Sequence, residues 1–309
     1  MINYAARRVV QSVSVVVAAL ILVFVMTRLI GDPVSIMLPP DAPAEARDQL
    51  RTSLGLDQSI ATQLGAYLSG VVTGDLGDSL WQKVPSLPLV LSKVPATLFL
   101  AGVALLMAIP AGIALGTVAA LRPGSVLDRA VHVLSYIGTS VVHFWLALML
   151  ILIFPISLGL FKTGGFGGYG LQGWSYVFLP ALALAFRPFG RIAVFTYSSV
   201  LEELRQPYVK TARAKGCGTV RVVGHALKNA GVPIVTTVGD DAAELLGGTI
   251  VIETIFAWPG LGLMMIQSIT NRDFVLVQTT ALVIAVIVIL VYLVVDLTYT
   301  AIDPKIEFK

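Results

Sequence analysis

Charge is scarce in this chain of 309 residues: 13% of positions are charged, 56% are apolar, and the mean hydropathy is +0.86. Soluble domains carry roughly 25% charged residues, and half that share cannot cover a water-facing surface of this size. The composition therefore excludes an ordinary soluble domain and makes a multi-spanning membrane protein the default class. Cysteine is nearly absent, and Cys217 alone rules out an internal disulfide framework. The three histidines are scattered rather than grouped at metal-ligand spacing, so no metal site is expected. His132 and His143 lie in or beside one apolar stretch, where a hydrogen bond between helices is the expected role. No G-x-x-x-x-G-K-[ST] segment occurs. The glycine-rich piece from Gly164 to Gly170 lacks the lysine and hydroxyl that hold nucleotide phosphate and magnesium, and it reads as a flexible outside turn. A nucleophile paired with a base is also missing, so this chain carries no hydrolytic chemistry of its own. The 21 basic residues are dispersed against 18 acids, which argues against nucleic acid as a partner.

What remains is long apolar runs. A helix rises about 1.5 Å per residue, so crossing a hydrocarbon core of about 30 Å takes about 20 apolar residues. Six stretches meet that length: 9–30, 96–121, 130–158, 174–194, 232–257 and 277–297. The second has no charge between Lys93 and Arg122 and tolerates Pro110 as a kink. Arg7 and Arg8 precede the first run, but its length and the absence of a small-residue cleavage site after it point to an anchor rather than a signal peptide.

Cytoplasmic segments retain Lys and Arg. With the N-terminus placed inside, 12 basic residues fall in inside segments and 7 outside, although the outside segments include a loop of 65 residues from Gly31 to Pro95. Six spans with both termini cytoplasmic is the expected topology. The division expected is an anchor helix over 1–30, an extracytoplasmic region over 31–95, and a transmembrane core over 96–309 with an inside loop at 199–229.

That loop reads as two short helices, one opened by Pro207 and interrupted at Gly216 and Gly218, the other running from Thr219 toward Pro233. Ala212, Ala214 and Gly216 leave room for another backbone, while Lys210, Arg213 and Lys215 can reach acidic groups on a partner. By composition alone it is a positive-inside loop that fixes topology. Its wording says more. Thr211-Ala-Arg-Ala-Lys-Gly216, followed by His225-Ala-Leu-Lys-Asn229 and Pro233, resembles the "EAA" loop of ABC-type importer permeases of the oligopeptide, dipeptide and nickel family. The likeness continues through Ala6-Arg-Arg8, Gly31-Asp-Pro33, Gly74-Asp-Leu-Gly77 with Ser79, Gly247-Gly248, Val251 to Phe256, Pro259-Gly-Leu-Gly262, Arg272-Asp273 and Asp296 to Pro304. The order and spacing of these motifs resemble the first of the two permease subunits usual in that family.

The resemblance implies an all-α, type I ABC importer permease. Its expected partners are a sister permease, two ATPase subunits or domains, an extracytoplasmic substrate-binding protein and the lipid bilayer. ATP and magnesium would belong to the ATPase subunits, with no cofactor on this chain. The loop would seat in a groove of the ATPase through Ala212, Arg213, Ala214, Lys215, Gly216 and His225. Glu253, Pro259, Gly260 and Gly262 would belong to an extracytoplasmic gate region. The family carries dipeptides, oligopeptides, glutathione, nickel chelates and opine-like compounds, so cargo stays open among these. The rival class is an ATP-independent secondary transporter or channel, although no convincing inverted repeat is found.

Five charges fall within expected spans: Arg187 and Arg191 in the fourth, Asp240, Asp241 and Glu244 in the fifth. A charge at bilayer depth costs at least about 2.5 to 3.5 kcal/mol. Arg187 with Arg191 and Asp240 with Glu244 are spaced i, i+4, so each pair can share a helix face. Antiparallel spans would let them pair as intramembrane ion bridges. Alternatively, some acids line a translocation cavity and favour cationic or zwitterionic cargo. Pro188 is a candidate helix break between the two arginines. In the outside loop, 42–54 and 57–72 read as helices, the second amphipathic.

Overall fold

A computed structural model of the chain describes residues 2–29, 34, 38, 42–53 and 55–302. The Gly31-Asp-Pro33 motif, and Lys305 and Lys309 in the tail, lie outside these residues. Every regular element described is a helix. In chain order they are α1 (Ile2–Leu29), α2 (Ala44–Ser53), α3 (Ile60–Thr73), α4 (Ser86–Leu91), α5 (Val94–Leu121), α6 (Val126–Ser140), α7 (His143–Ile151), α8 (Trp174–Leu204), α9 (Pro207–Ala214), α10 (Thr219–Asn229), α11 (Gly231–Ile255), α12 (Leu261–Thr270) and α13 (Phe274–Ile302). A π-helical turn, Leu152–Ser157, continues α7.

By length and composition, three described helical stretches can each cross a membrane: Ser86–Leu121, Trp174–Leu204 and Phe274–Val295. The stretch read as one span over 130–158 is instead two helices, α6 and α7 with its π turn, bent by 104°. The break falls at Val141 and Val142, both in extended conformation. β-branched residues are stiff at χ1 and favour extended backbone, and two of them in succession after Thr139 and Ser140 interrupt the helix. α1 and α11 are 28 and 25 residues long. However, α11 carries four acids, and the apolar segment of α1 is the shorter Val13–Val25.

The chain divides into two compact units, 1–97 with 259–290, and 98–258 with 291–309. In the first unit, Val90, Leu261, Met264, Leu276 and Val283 form a buried apolar cluster. α3 starts at an N-cap, where Ser59 Oγ accepts from Thr62 N at 3.3 Å, and stops where Gly74 turns left-handed at φ 78°. Two distant motifs meet here. Asp273 ahead of α13 accepts Ser79 Oγ–H at 2.5 Å, Trp81 N–H at 3.1 Å and Leu276 N–H at 3.0 Å. One fully buried carboxylate thus caps a helix and fastens a loop 194 residues away. Ser86 and Thr279 add a buried hydroxyl pair at 3.0 Å.

The second unit is organised on α8. Leu179, Ala181, Ala183, Leu184, Ile192 and Ala193 of α8 are fully buried, and the helix continues through both Pro180 and Pro188 without a break. Small residues make the close approaches. A Cβ on Gly138 of α6 would stand 2.8 Å from Phe186 O, and one on Gly190 of α8 would stand 2.8 Å from Ser135 O. His132 does not hydrogen-bond to a second helix as expected: its Nδ1 lies 3.0 Å from Asp128 O, one turn back on α6, and its ring meets Tyr197 of α8 edge-on at 4.6 Å. The 164–170 segment is a turn, as expected, but one packed against its neighbours. Gly165 N–H donates to Phe256 O at 2.7 Å, a Cβ on Gly164 would reach that oxygen at 2.4 Å, and Phe166, Tyr169 and Phe99 pack with Trp258 as an aromatic cluster. Gly164 and Gly167 serve close packing, whereas Gly165, Gly168 and Gly170 take the left-handed φ of 97°, 91° and 106° that a turn needs. Large apolar residues such as Leu106 at 72% exposure face outward, as lipid contact requires.

Candidate functional site

The charges of α8 and α11 converge in the second unit. Arg191 Nη1 donates to Asp241 Oδ1 at 2.7 Å and to Glu244 Oε2 at 3.2 Å, and Arg187 Nη1 donates to Glu244 Oε1. The pairing order, 187 with 244 and 191 with 241, is the one two antiparallel helices impose. The acids used are spaced i, i+3 rather than the i, i+4 pair read from the sequence. Asp240 is exposed and makes no ion pair among the described residues. A helical wheel alone cannot separate Asp240 from Asp241 as the inward partner, because both lie within a turn of Glu244.

Burial is graded across this network. The Asp241 side chain is 2% exposed, Arg191 28%, Arg187 39% and Glu244 44%. Asp241 Oδ2 is buried with no hydrogen-bond partner among the described residues. The network borders a cavity of about 320 Å³. Its lining includes Arg187, Asp241, Glu244, His143, Pro188 and the Gly247–Gly248 pair. The sequence reading gave His143 a hydrogen bond between helices and did not anticipate its place in the cavity wall. His143 stands at the first turn of α7, where the 104° bend redirects the chain, and the sequence signal of that bend is only the Val141–Val142 pair. Ligand sites span about 300 to 1,000 Å³, so this cavity suits a small solute.

A second candidate surface is the 199–229 segment. α9 begins with Pro207 at its first turn, where a missing N–H costs nothing, and it ends ahead of Gly216, whose φ is 80°. That left-handed turn is natural to glycine and costs other residues roughly 1 to 2 kcal/mol. α10 follows from Thr219 and ends at Asn229, short of the expected Pro233. Val209, Val222 and Ala226 are buried, and Ala226 joins Ala120, Val200, Ala230 and Ile234 in a core cluster. The outer faces are free of such packing. Arg213, Ala214, Lys215, Gly216 and His225 are exposed and Ala212 is half-buried. Glu203 near the end of α8 clamps the pair, its Oε2 accepting Tyr208 O–H at 2.8 Å and Asn229 Nδ2–H at 3.4 Å. Burial first, and the hydrogen bond to Glu203 next, push the Tyr208 phenol above its usual range.

Of the residues read as a gate, Glu253 lies in the second unit, fully buried on α11, where its carbonyl accepts Trp258 N–H at 2.8 Å. Pro259, Gly260 and Gly262 lie in the first. Gly260 caps α12, and Leu261 N–H donates to Thr97 Oγ1 at 2.8 Å. Among the described residues there is no group of three or more acids, histidines or cysteines suited to a metal.

Comparison with known proteins gives the family. Residues 1–101 match the N-terminal family of binding-protein-dependent transport system membrane components, and residues 112–308 match the family described as binding-protein-dependent transport system inner membrane component. The chain is 33% identical over 316 residues to the oligopeptide transport system permease protein AppB of Bacillus subtilis, with all of both chains covered. It is 35% identical over 311 residues to the glutathione transport system permease protein GsiC of Salmonella choleraesuis, again with both fully covered. The fold is shared with the MetNI methionine ABC transporter solved in inward-facing conformations, with TM-score 0.58 at 20% identity, over 70% of this chain and 96% of that one. This all-α, multi-pass chain therefore belongs to the binding-protein-dependent transport system inner membrane components, the permease subunits of ABC importers.

Proposed function

We propose that the chain works with a sister permease, two ATPase subunits and an extracytoplasmic substrate-binding protein to move peptides or related small solutes inward by alternating access. Six spans with both termini in the cytoplasm fit the distribution of basic residues, and they place 199–229 on the ATPase side. The single observation that carries the reading is the exposed α9–α10 pair. It is anchored to its own core by Val209, Val222 and Ala226 while presenting Ala212, Arg213, Ala214, Lys215, Gly216 and His225 outward. A rigid, basic, small-residue surface is what a moving ATPase can push.

ATP binding in the ATPase pair draws this surface inward and opens the path to the binding protein, and hydrolysis resets it. ATP and magnesium belong to those partners, since this chain has no phosphate-binding loop. Glu253, Pro259, Gly260 and Gly262 serve the extracytoplasmic gate. Peptide cargo is supported by what the full-length relatives are named for. The test is Gly216→Val and Arg213→Glu in the assembled transporter reconstituted in vesicles. The expected result is ATP hydrolysis that no longer drives uptake, with the complex still assembled. Uptake and hydrolysis coupled as in the unmodified complex would overturn the docking role.

A further inference from the structure

The elbow between α6 and α7 ends two helices at a depth where lipid offers those ends nothing. Gly138 of α6 packs on Phe186 of α8, and His143 at the start of α7 shares a cavity wall with Arg187. Arg187 lies 13 residues after Trp174, where α8 begins. The elbow therefore stands about 20 Å along a helix long enough to cross a hydrocarbon core of about 30 Å. Val142 gives α7 no side-chain cap, and the N–H groups of His143, Phe144 and Trp145 have no acceptor among the described residues. The carbonyls of Thr139 and Ser140 have no donor among them either. The Thr139 hydroxyl does not help, because it donates back to Ser135 O at 3.1 Å and Tyr136 O at 3.2 Å. Helix ends always leave such groups, and in solution water takes them. In hydrocarbon nothing does, so a non-helical elbow is tolerated there only under a cover of protein or beside a water-filled space.

The side chains around the elbow decide between those two covers. Ser140, Val142, Phe144 and Trp145 are exposed, Val142 at 59% and Trp145 at 51%. Tyr136 and Ile137 one turn before, and Leu148 one turn after, extend the exposed patch along both arms. Valine, phenylalanine, tryptophan and leucine do not suit the wall of a water-filled space. The patch calls for an apolar surface that also carries hydrogen-bonding groups. We infer that the elbow seats a transmembrane helix of the sister permease. Phe144 and Trp145 are its apolar anchors, and a hydroxyl or amide side chain of that helix meets the unpaired backbone groups. Tryptophan is enriched among the residues that dominate interfaces, and hydroxyl and amide side chains are those that membrane helices use to hydrogen-bond one another. The inference rests on the proposed reading that the chain assembles with a sister permease, and it adds which surface receives that partner.

The test places the photoreactive residue p-benzoylphenylalanine at position 145 of the assembled transporter in membranes, with position 106 on α5, where Leu106 is exposed, as the lipid-facing comparison. Irradiation is expected to join position 145 to the sister permease with at least ten times the yield from position 106. The attachment is expected on a span of that partner that carries Ser, Thr, Asn or Gln. Adducts of position 145 with lipid alone, with this chain or a second copy of it, or at no more than the yield from position 106 overturn the inference. A second measurement needs no photoreactive side chain. Trp145→Ala is expected to lower the sister permease recovered with this chain at least threefold, whereas Leu106→Ala is expected to leave that recovery unchanged. Equal recovery with the two variants overturns the inference, and the cross-link decides the matter if Trp145→Ala does not fold. Recovery of the sister permease by the unmodified chain without a cross-link at position 145 sinks only this inference. No recovery at all sinks the functional reading beneath it.

Discussion

Asp273 shows how much one side chain can decide. Its two carboxylate oxygens accept from Ser79, Trp81 and Leu276 while fully buried. Asp273→Ala would leave three buried or half-buried donors unmade, each at a cost of about 1 to 3 kcal/mol, so it is expected to lower the thermal midpoint of the purified complex by several degrees. Ser79→Ala, which removes one donor and leaves two, is expected to cost only about 1 to 2 kcal/mol. A thermal-shift series on the two variants checks the order. Arg272-Asp273 and Gly74 to Ser79 were visible as motifs, but their contact was not. Nothing within either segment states its partner 194 residues away. The same limit applied to Asp241. Two adjacent acids, Asp240 and Asp241, are equivalent to a periodicity argument until the rotation of α11 against α8 is known, and that rotation is set by packing.

At the scale of elements, helices were legible wherever apolar length or capping marks them. α8 and α10 begin at Trp174 and Thr219, as the residues suggest. The break between α6 and α7 was not legible, because two valines inside a long apolar run satisfy hydropathy as well as a straight span would. The turn at 164–170 was legible, but its packing was not, because glycine serves both turns and close approach, and only the neighbouring Phe256 and Tyr176 show that Gly164 and Gly167 do the latter. Gly164→Ala is therefore expected to destabilise the second unit, since the added methyl would meet Phe256 O at 2.4 Å. Limited proteolysis between α7 and α8 reads that loosening. The Glu203 clamp makes a related prediction for α9 and α10. Tyr208→Phe removes a hydrogen bond worth about 0.5 to 1.5 kcal/mol and is expected to lower uptake per ATP more than it lowers hydrolysis. The raised phenol pKa makes its contribution complete below the unfolded tyrosine value of about 10 and lost only as pH rises through the higher folded value. Coupling is therefore expected to be independent of this group from about pH 6 to about pH 9, as uptake and hydrolysis measured across that range would show.

For the molecule as a whole, scarce charge is the organising fact. The 13% of charged residues includes an exposed basic face on α9 and α10 and an ion network between α8 and α11 beside a cavity, while the distribution of Lys and Arg carries the proposed topology. On the proposed reading, the energy for transport arrives from the ATPase subunits through that basic face. The most direct measurement is solute uptake into vesicles, comparing this chain alone with the chain reconstituted alongside its sister permease, ATPase subunits and binding protein. The account predicts that glycylglycine accumulates only in the complete assembly, only with ATP, and regardless of an imposed proton or sodium gradient. Accumulation by the lone chain driven by an ion gradient would contradict it.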